Sequence, residues 1–192
     1  MSIAQIAAEN EVKIQNLLDA FQKERSAQAR YAAFAAKADC DRLRGVASLF
    51  RAVARAKQIH ADNHAHVICQ LGGAAAAQVD TPDVGTTLEN LRAALADESY
   101  ACDSMYPAFL ADSDTQNDSA AQTLNWALRA DISHEHLFNE AIARIEAGES
   151  NSWVGTSRSF YVRRACGYTS ETPQPDRCWM CDQMCGTFEI VG

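Results

Sequence analysis

Positive charge is scarce in this chain. No cluster of lysines and arginines stands out, and a net charge of −8 excludes the basic face that a nucleic-acid backbone requires. Nor does any apolar run approach the roughly 18 residues of a membrane span. The opening residues, Met1 to Gln5, lack the charged segment and apolar core of a secretory signal. The expectation is therefore a cytoplasmic protein with neither membrane nor nucleic acid as partner. Cysteines are too unevenly placed for a disulfide framework. Of seven, Cys40, Cys69 and Cys102 are scattered, whereas Cys166, Cys178, Cys181 and Cys185 gather near the end, which is the pattern of a metal knuckle in a reducing compartment.

The chain is rich, by contrast, in helical periodicity. An apolar fraction of 47% over 192 residues suits one ordinary domain plus a small appendage. Apolar residues recur at three and four from about residue 8 to 38, with Leu17, Leu18, Phe21, Tyr31 and Phe34 on the stripe, and again from about 42 to 71, ending at Gly72-Gly73. Residues 73–86 are too long for a tight turn and allow a crossover between the second and third helices. Thr86 and Glu89 form a capping box that opens the third helix, inside which Pro107 predicts a kink or break. Ser119 and Gln122 resemble a second box, opening a fourth helix that runs to about Ala147. Four helices of this length make a bundle about 40 Å long. Residues 149–158 are polar and aperiodic, a linker, and the stretch from about Ser159 to the end is too short to fold without a staple. The expected architecture is thus mainly α: a bundle over 1–148, a linker over 149–158 and a small β/metal-knuckle domain over 159–192.

Chemistry-bearing residues fall on the inward stripes. Lys57, His60 and His64 share one face of the second helix, and three of the five histidines, His60, His64 and His66, lie within seven residues. Asp131 and His134 repeat the i, i+3 spacing on the fourth helix, and Glu24 and Glu98 stand singly on the first and third. Di-metal carboxylate bundles use such a set, one Glu from each of two helices and a Glu-x-x-His pair from each of the others. Here Lys57 occupies one of the four carboxylate positions. Glu24, Glu98 and Asp131 with a protonated Lys57 leave a charge of −2, which a single divalent ion balances. Two other states remain open. One is a metal-free site in which Lys57 pairs with Glu24 or Asp131 and the remaining acids are protonated, and the other is a two-metal site with Lys57 deprotonated or turned away. Tyr31, seven residues beyond Glu24, shares its face and is the candidate hydrogen-bond donor.

These residues resemble a rubrerythrin over nearly the whole chain. Glu24 followed by Arg30-Tyr31, Leu49-Phe50-Arg51-Ala52 leading to His60, Glu98 with Met105-Tyr106-Pro107, and His134-Glu135 match the family's four helices. Cys166-Gly167-Tyr168, Cys178 and Cys181 match its terminal iron domain. The resemblance implies a ferritin-like four-helix bundle plus a rubredoxin-like domain. It also implies a non-haem di-iron site that reduces hydrogen peroxide, an iron held by four cysteines that feeds it electrons from an NADH-linked or other redox partner, and a homodimer in which one subunit's small domain lies near the other's bundle. Carried over by position, Glu24, His60, Glu98, Asp131 and His134 are metal ligands. Lys57 stands where a bridging Glu is expected, Ala101 where a further Glu is, and Arg163 where the first cysteine is. Cys166, Cys178 and Cys181 are three of the four thiolates of the terminal site, iron or zinc, and Cys185 is either the fourth or a free thiol. The resemblance and its departures allow two functions: an attenuated rubrerythrin-like oxidoreductase, in which Lys57 and Tyr31 act beside one iron, or a metal-binding scaffold without redox turnover that holds zinc or nothing.

Overall fold

The computed structural model describes residues 3–112, 118–149, 154–173, 178, 181 and 188–192, with side chains from residue 9 onward. Cys185 lies outside the described residues. Four long helical stretches form the bundle: α1 (Ile3–Cys40), α2 (Arg44–Gln70), α3 (Thr87–Tyr100) continuing into α4 (Tyr106–Ala111), and α5 (Ser119–Glu146). Three short strands, β1 (Phe160–Arg163), β2 (Thr169–Ser170) and β3 (Phe188–Val191), form an antiparallel sheet in the order β2-β1-β3. Within it Val162 faces Thr169, and Arg163 faces Phe188. The mainly α bundle with a small terminal sheet is the architecture expected from the sequence. Among the described residues, no helix is long and apolar enough to cross a membrane.

Local chemistry explains most helix boundaries. The Thr86 capping box forms as expected: its hydroxyl accepts from the Glu89 amide, and the Glu89 carboxylate accepts from the Thr86 amide at 2.8 Å. The second box does not. Asp118 is the N-cap of α5, with extended backbone and a carboxylate that accepts from the Ala120 amide at 3.1 Å, so Ser119 is already helical. The break expected at Pro107 takes the form of a π turn over Ala101–Met105 directly before it, in which the Tyr106 amide reaches back to the Ala101 carbonyl. The extra residue retards the helical phase by roughly 100°. Tyr106, eight residues beyond Glu98, is thereby turned onto the same inward face and is fully buried.

One hydrophobic cluster joins the bundle to the terminal lobe. Tyr31, Phe34, Phe50 and Phe138 pack edge-on or tilted, with ring centroids 5.4–6.2 Å apart, and Val154, Phe160 and Val162 belong to the same cluster. Val154 falls inside the segment expected to be a linker, yet it is buried and its carbonyl accepts from the Gly45 amide at 2.9 Å. Arg55 pairs with Glu189 at 2.9 Å, and the Asn63 amide group donates to the Ala165 carbonyl at 2.9 Å. The lobe therefore packs on the bundle of its own chain.

Candidate metal centre

Every bundle residue singled out from the sequence as a ligand converges at mid-bundle. Glu24 on α1, Lys57 and His60 on α2, Glu98 on α3, and Asp131 and His134 on α5 are all at most 3% exposed. His66 is exposed and hydrogen-bonded to Gln70, so it takes no part. The Lys57 ammonium lies at the centre, 2.7 Å from Asp131 Oδ1, 2.9 Å from Glu98 Oε2 and 3.4 Å from Glu24 Oε1.

One ammonium among three buried carboxylates sets the protonation states. Burial alone would discharge Lys57, but Asp131, Glu24 and Glu98 outweigh it and hold the amine charged, well above its ordinary range. Burial likewise opposes ionisation of Glu24, yet Lys57 first, then the nearby His60 and the hydrogen bond from Tyr106, hold it down at about 2. Glu98 is also lowered, against burial, by Lys57, His134 and Tyr31. Asp131 goes the other way. Burial and the nearby Glu98 raise it to about 6 despite Lys57, because a single ammonium cannot balance three acids.

The two halves of the cluster differ in how their polar atoms are satisfied. On the Glu98 side, Tyr31 donates to Glu98 Oε1 at 2.6 Å. The Thr169 hydroxyl donates to the Gly167 carbonyl, so its oxygen accepts from His134 Nε2 at 3.2 Å. His134 Nδ1 lies 3.2 Å from Glu98 Oε2 and 3.3 Å from Asp131 Oδ1. Burial disfavours its charge, but those two acids overcome it and raise its pKa, so that the ring can donate from both nitrogens. This half is closed by protons. On the other side, His60 Nε2 must donate to the Cys166 carbonyl at 3.1 Å, because that oxygen can only accept. Its Nδ1 then faces Glu24 Oε2 at 3.5 Å and Asp131 Oδ1 at 3.7 Å. His60 Nδ1, Glu24 Oε2 and Asp131 Oδ2 are buried without hydrogen-bond partners. Buried polar atoms without partners are costly, and Glu24, His60 and Asp131 lie close enough together to ligate a cation. Glu98, Asp131 and His134 form a second such group that shares Asp131.

Behind these ligands lies a layer that sequence reasoning missed. Tyr106 donates to Glu24 Oε1 at 2.6 Å, and His64 accepts from Thr123 at 3.0 Å through Nδ1 and reaches Tyr106 at 3.5 Å through Nε2. Only the π turn brings Tyr106 to this position, and no periodicity rule shows it. His64 was visible on the inward stripe, but its role is to support Tyr106 rather than to join the ligand cluster. Burial pushes His64 down to about 3, so it is folded in the neutral state. The unfolded chain takes up a proton near pH 6.5 that the folded one refuses, and stability is lost as pH falls below that value. The slope is about 1.4 kcal/mol per pH unit, or roughly 2 kcal/mol between about pH 7 and pH 5. In chelator-treated protein, His64→Gln is expected to flatten this part of the denaturant-stability curve. An unchanged curve would assign the acid sensitivity elsewhere.

In the lobe, Cys166, Cys178 and Cys181 are buried with their sulfurs within 4.8 Å of one another, and Sγ of Cys166 is 4.0 Å from that of Cys178. Burial pushes the Cys166 thiol well up. A backbone hydrogen bond from Tyr168 opposes this, while the neighbouring Cys181 and Cys178 reinforce it. Arg163 is buried in the same turn: its carbonyl accepts from the Gly167 amide and its amide donates to the Tyr168 carbonyl, both at 2.8 Å, and its guanidinium lies 5.4 Å from the Phe188 ring centre.

Comparison with known proteins agrees with this geometry. Residues 15–142 match the family model described as Rubrerythrin. Rubrerythrin of Porphyromonas gingivalis is 28% identical over 178 residues, covering 91% of this chain and 87% of that protein. Rubrerythrin-2 of Clostridium acetobutylicum is 24% identical over 184 residues, covering 92% and 95%. Among solved structures, fully reduced, all-ferrous nigerythrin superposes with a TM-score of 0.81 at 26% identity, covering 93% of this chain and 86% of that one.

Proposed function

Because this chain belongs to the rubrerythrin family, we propose that it is a non-haem iron oxidoreductase that reduces hydrogen peroxide on a single metal ion held by Glu24, His60 and Asp131. The observation that carries this reading is the trio of buried, unpartnered donor atoms on those residues, set against a Glu98–His134 half already closed by protons. When bound, iron supplies Lewis acidity and one electron per oxidation step. Reduction of peroxide to two waters consumes two electrons and two protons, so a complete turnover that leaves the iron as it began draws both electrons from a donor. The chain's own residues do the rest. The Lys57 ammonium, held charged between Glu98 and Asp131, sits beside the ligand trio and stabilises negative charge developing there. Tyr31 and Tyr106 fix the orientation of Glu98 and Glu24, and the lobe covers the imidazoles and excludes water. A homodimer and an electron-donor protein are the partners this reading calls for.

Protein purified without a tag and reconstituted with ferrous iron is expected to hold one equivalent in the bundle. It should consume peroxide on the order of 10²-fold more slowly than an unaltered rubrerythrin, the scale set by losing one positioned charge-stabilising group. Two equivalents with full turnover would overturn the single-ion account. The alternative is a scaffold without turnover. It draws on the closeness of Lys57 to all three acids, which are partly balanced with no ion present. Zinc or no metal in the bundle, with no peroxide consumption, would establish it instead.

A further inference from the structure

Thr123, His64 and Tyr106 lie outside the ligand cluster, yet their hydrogen bonds run in one direction and end on it. We propose that Thr123 is a positioning residue for the metal site: through His64 and Tyr106 it holds Glu24 so that Oε2 alone is offered to an ion. The chain of bonds takes one side chain from each side of the bundle, Thr123 from α5, His64 from α2, Tyr106 from α4 and Glu24 from α1, and all four residues are at most 4% exposed. The role of Glu24 as a ligand rests on the single-ion reading above, whereas the direction of the chain does not.

That direction follows from counting protons. Glu24 is ionised and can only accept, so the one proton of Tyr106 goes to Oε1 at 2.6 Å. The Tyr106 oxygen is left with lone pairs only, and His64 Nε2 faces it at 3.5 Å. A bare Nε2 would set lone pair against lone pair in a dry interior, so this nitrogen carries the hydrogen. Burial keeps the His64 ring neutral, with one ring N–H in all. Nδ1 is therefore an acceptor, and the Thr123 hydroxyl, 3.0 Å away, is the donor that satisfies it.

The consequence reaches the metal layer. Glu24 Oε1 receives Tyr106 and lies 3.4 Å from the Lys57 ammonium, whereas Oε2 has no hydrogen-bond partner and faces His60 Nδ1 at 3.5 Å. With Oε1 committed, the carboxylate meets an ion through one oxygen, in the orientation that Tyr106 imposes. Outer partners of this kind hold ligands in place, and losing one weakens metal binding by roughly 10–100-fold. Thr123 acts at the far end of the chain, where the smaller of these effects is expected.

The test measures manganese(II) binding to the full-length protein, since that ion suits carboxylates and is not selected by thiolates. Thr123→Val should raise the Kd roughly tenfold, and Thr123→Ser, which keeps the hydroxyl, should stay within about twofold of wild type. In a Tyr106→Phe background the chain is already broken, so adding Thr123→Val should change the Kd by less than about twofold. In metal-free wild type, the ¹⁵N resonances of His64, identified by their loss in His64→Gln, should place the hydrogen on Nε2. In Thr123→Val the Nδ1 resonance should move toward that of a free imine nitrogen. A hydrogen on Nδ1 in wild type would overturn the proposal whether or not Thr123→Val folds. So would a wild-type Kd in Thr123→Val, or an equal loss with and without the Tyr106 hydroxyl, which is what a merely structural role of Thr123 would give. Wild type that takes up neither manganese nor iron in the bundle would instead overturn the single-ion reading and the ligand role of Glu24 with it, and the nitrogen shifts would still decide the direction of the chain.

Discussion

Replacing Lys57 with glutamate is expected to raise the metal held by the bundle from one equivalent to two and to make the metal-free fold far less stable. The ammonium now sits 2.7–3.4 Å from Asp131, Glu98 and Glu24, and no other cationic side chain lies this close to all three among the described residues. Removing it leaves buried carboxylates uncompensated, which costs roughly 3–5 kcal/mol when one partner of a buried pair is lost, and the new carboxylate adds to the repulsion. With divalent ions present the balance reverses. Four carboxylates and two histidines then face two ions, and each ion present at about a thousand times its Kd contributes about 4 kcal/mol to the folded state. In a domain of this size each kcal/mol moves the Tm by about 2–4 °C. The gap between melts with chelator and with ferrous iron should therefore widen by on the order of 10 °C relative to wild type, and elemental analysis should show the second equivalent. A variant that holds one equivalent and melts like the parent would mean that Lys57 is not what keeps the second ion out.

The convergence of Glu24, Lys57, His60, Glu98, Asp131 and His134 was legible because each depends on helical phase alone, and phase survives averaging over a long regular helix. The same holds for the Thr86 box and the inward stripe of α2, where Leu49, Phe50, Val53 and Ala56 are all fully buried. Features in which phase is broken, or in which the contact is remote in sequence, could not be read. The π turn at Ala101–Met105 adds a residue that no stripe anticipates, and Tyr106 reaches Glu24 only because of it. The α5 cap moved by one residue, from Ser119 to Asp118, because both types cap well and only backbone geometry chooses between them. The asymmetry between the two histidines depends on the acceptors Cys166 and Thr169, each 35 residues or more away in sequence. From spacing alone His60 and His134 look equivalent. Their Nδ1 atoms differ: that of His60 has no hydrogen-bond partner, whereas that of His134 lies 3.2 Å from Glu98 and 3.3 Å from Asp131.

The seat of the lobe is most sharply tested by Gly167→Ala. Gly167 has φ +72°, and a Cβ built there would lie 2.3 Å from His60 Nε2, 2.8 Å from His60 Cδ2 and 3.2 Å from the Ala56 carbonyl. None of these can retreat easily, since His60 is fixed by its bond to Cys166 and by the packed acids behind it, and Ala56 is helical backbone. Gly72 separates the clash from the backbone cost. It has φ +85° with nothing within 4 Å, so Gly72→Ala measures the left-handed conformation alone, about 1–2 kcal/mol. Gly167→Ala is expected to cost at least about twice that, and to do so by lifting the knuckle from the bundle. Amides near Ala165 and Cys166 should then exchange with solvent at least tenfold faster than in wild type or Gly72→Ala. His60, deprived of its acceptor at Cys166, would lose its fixed tautomer, and the bundle ion should bind more weakly in Gly167→Ala although no ligand has changed. If the two alanine variants lose equal stability and keep equal metal affinity, the close approach of Gly167 to His60 carries no energy, and the lobe does not orient the site beneath it.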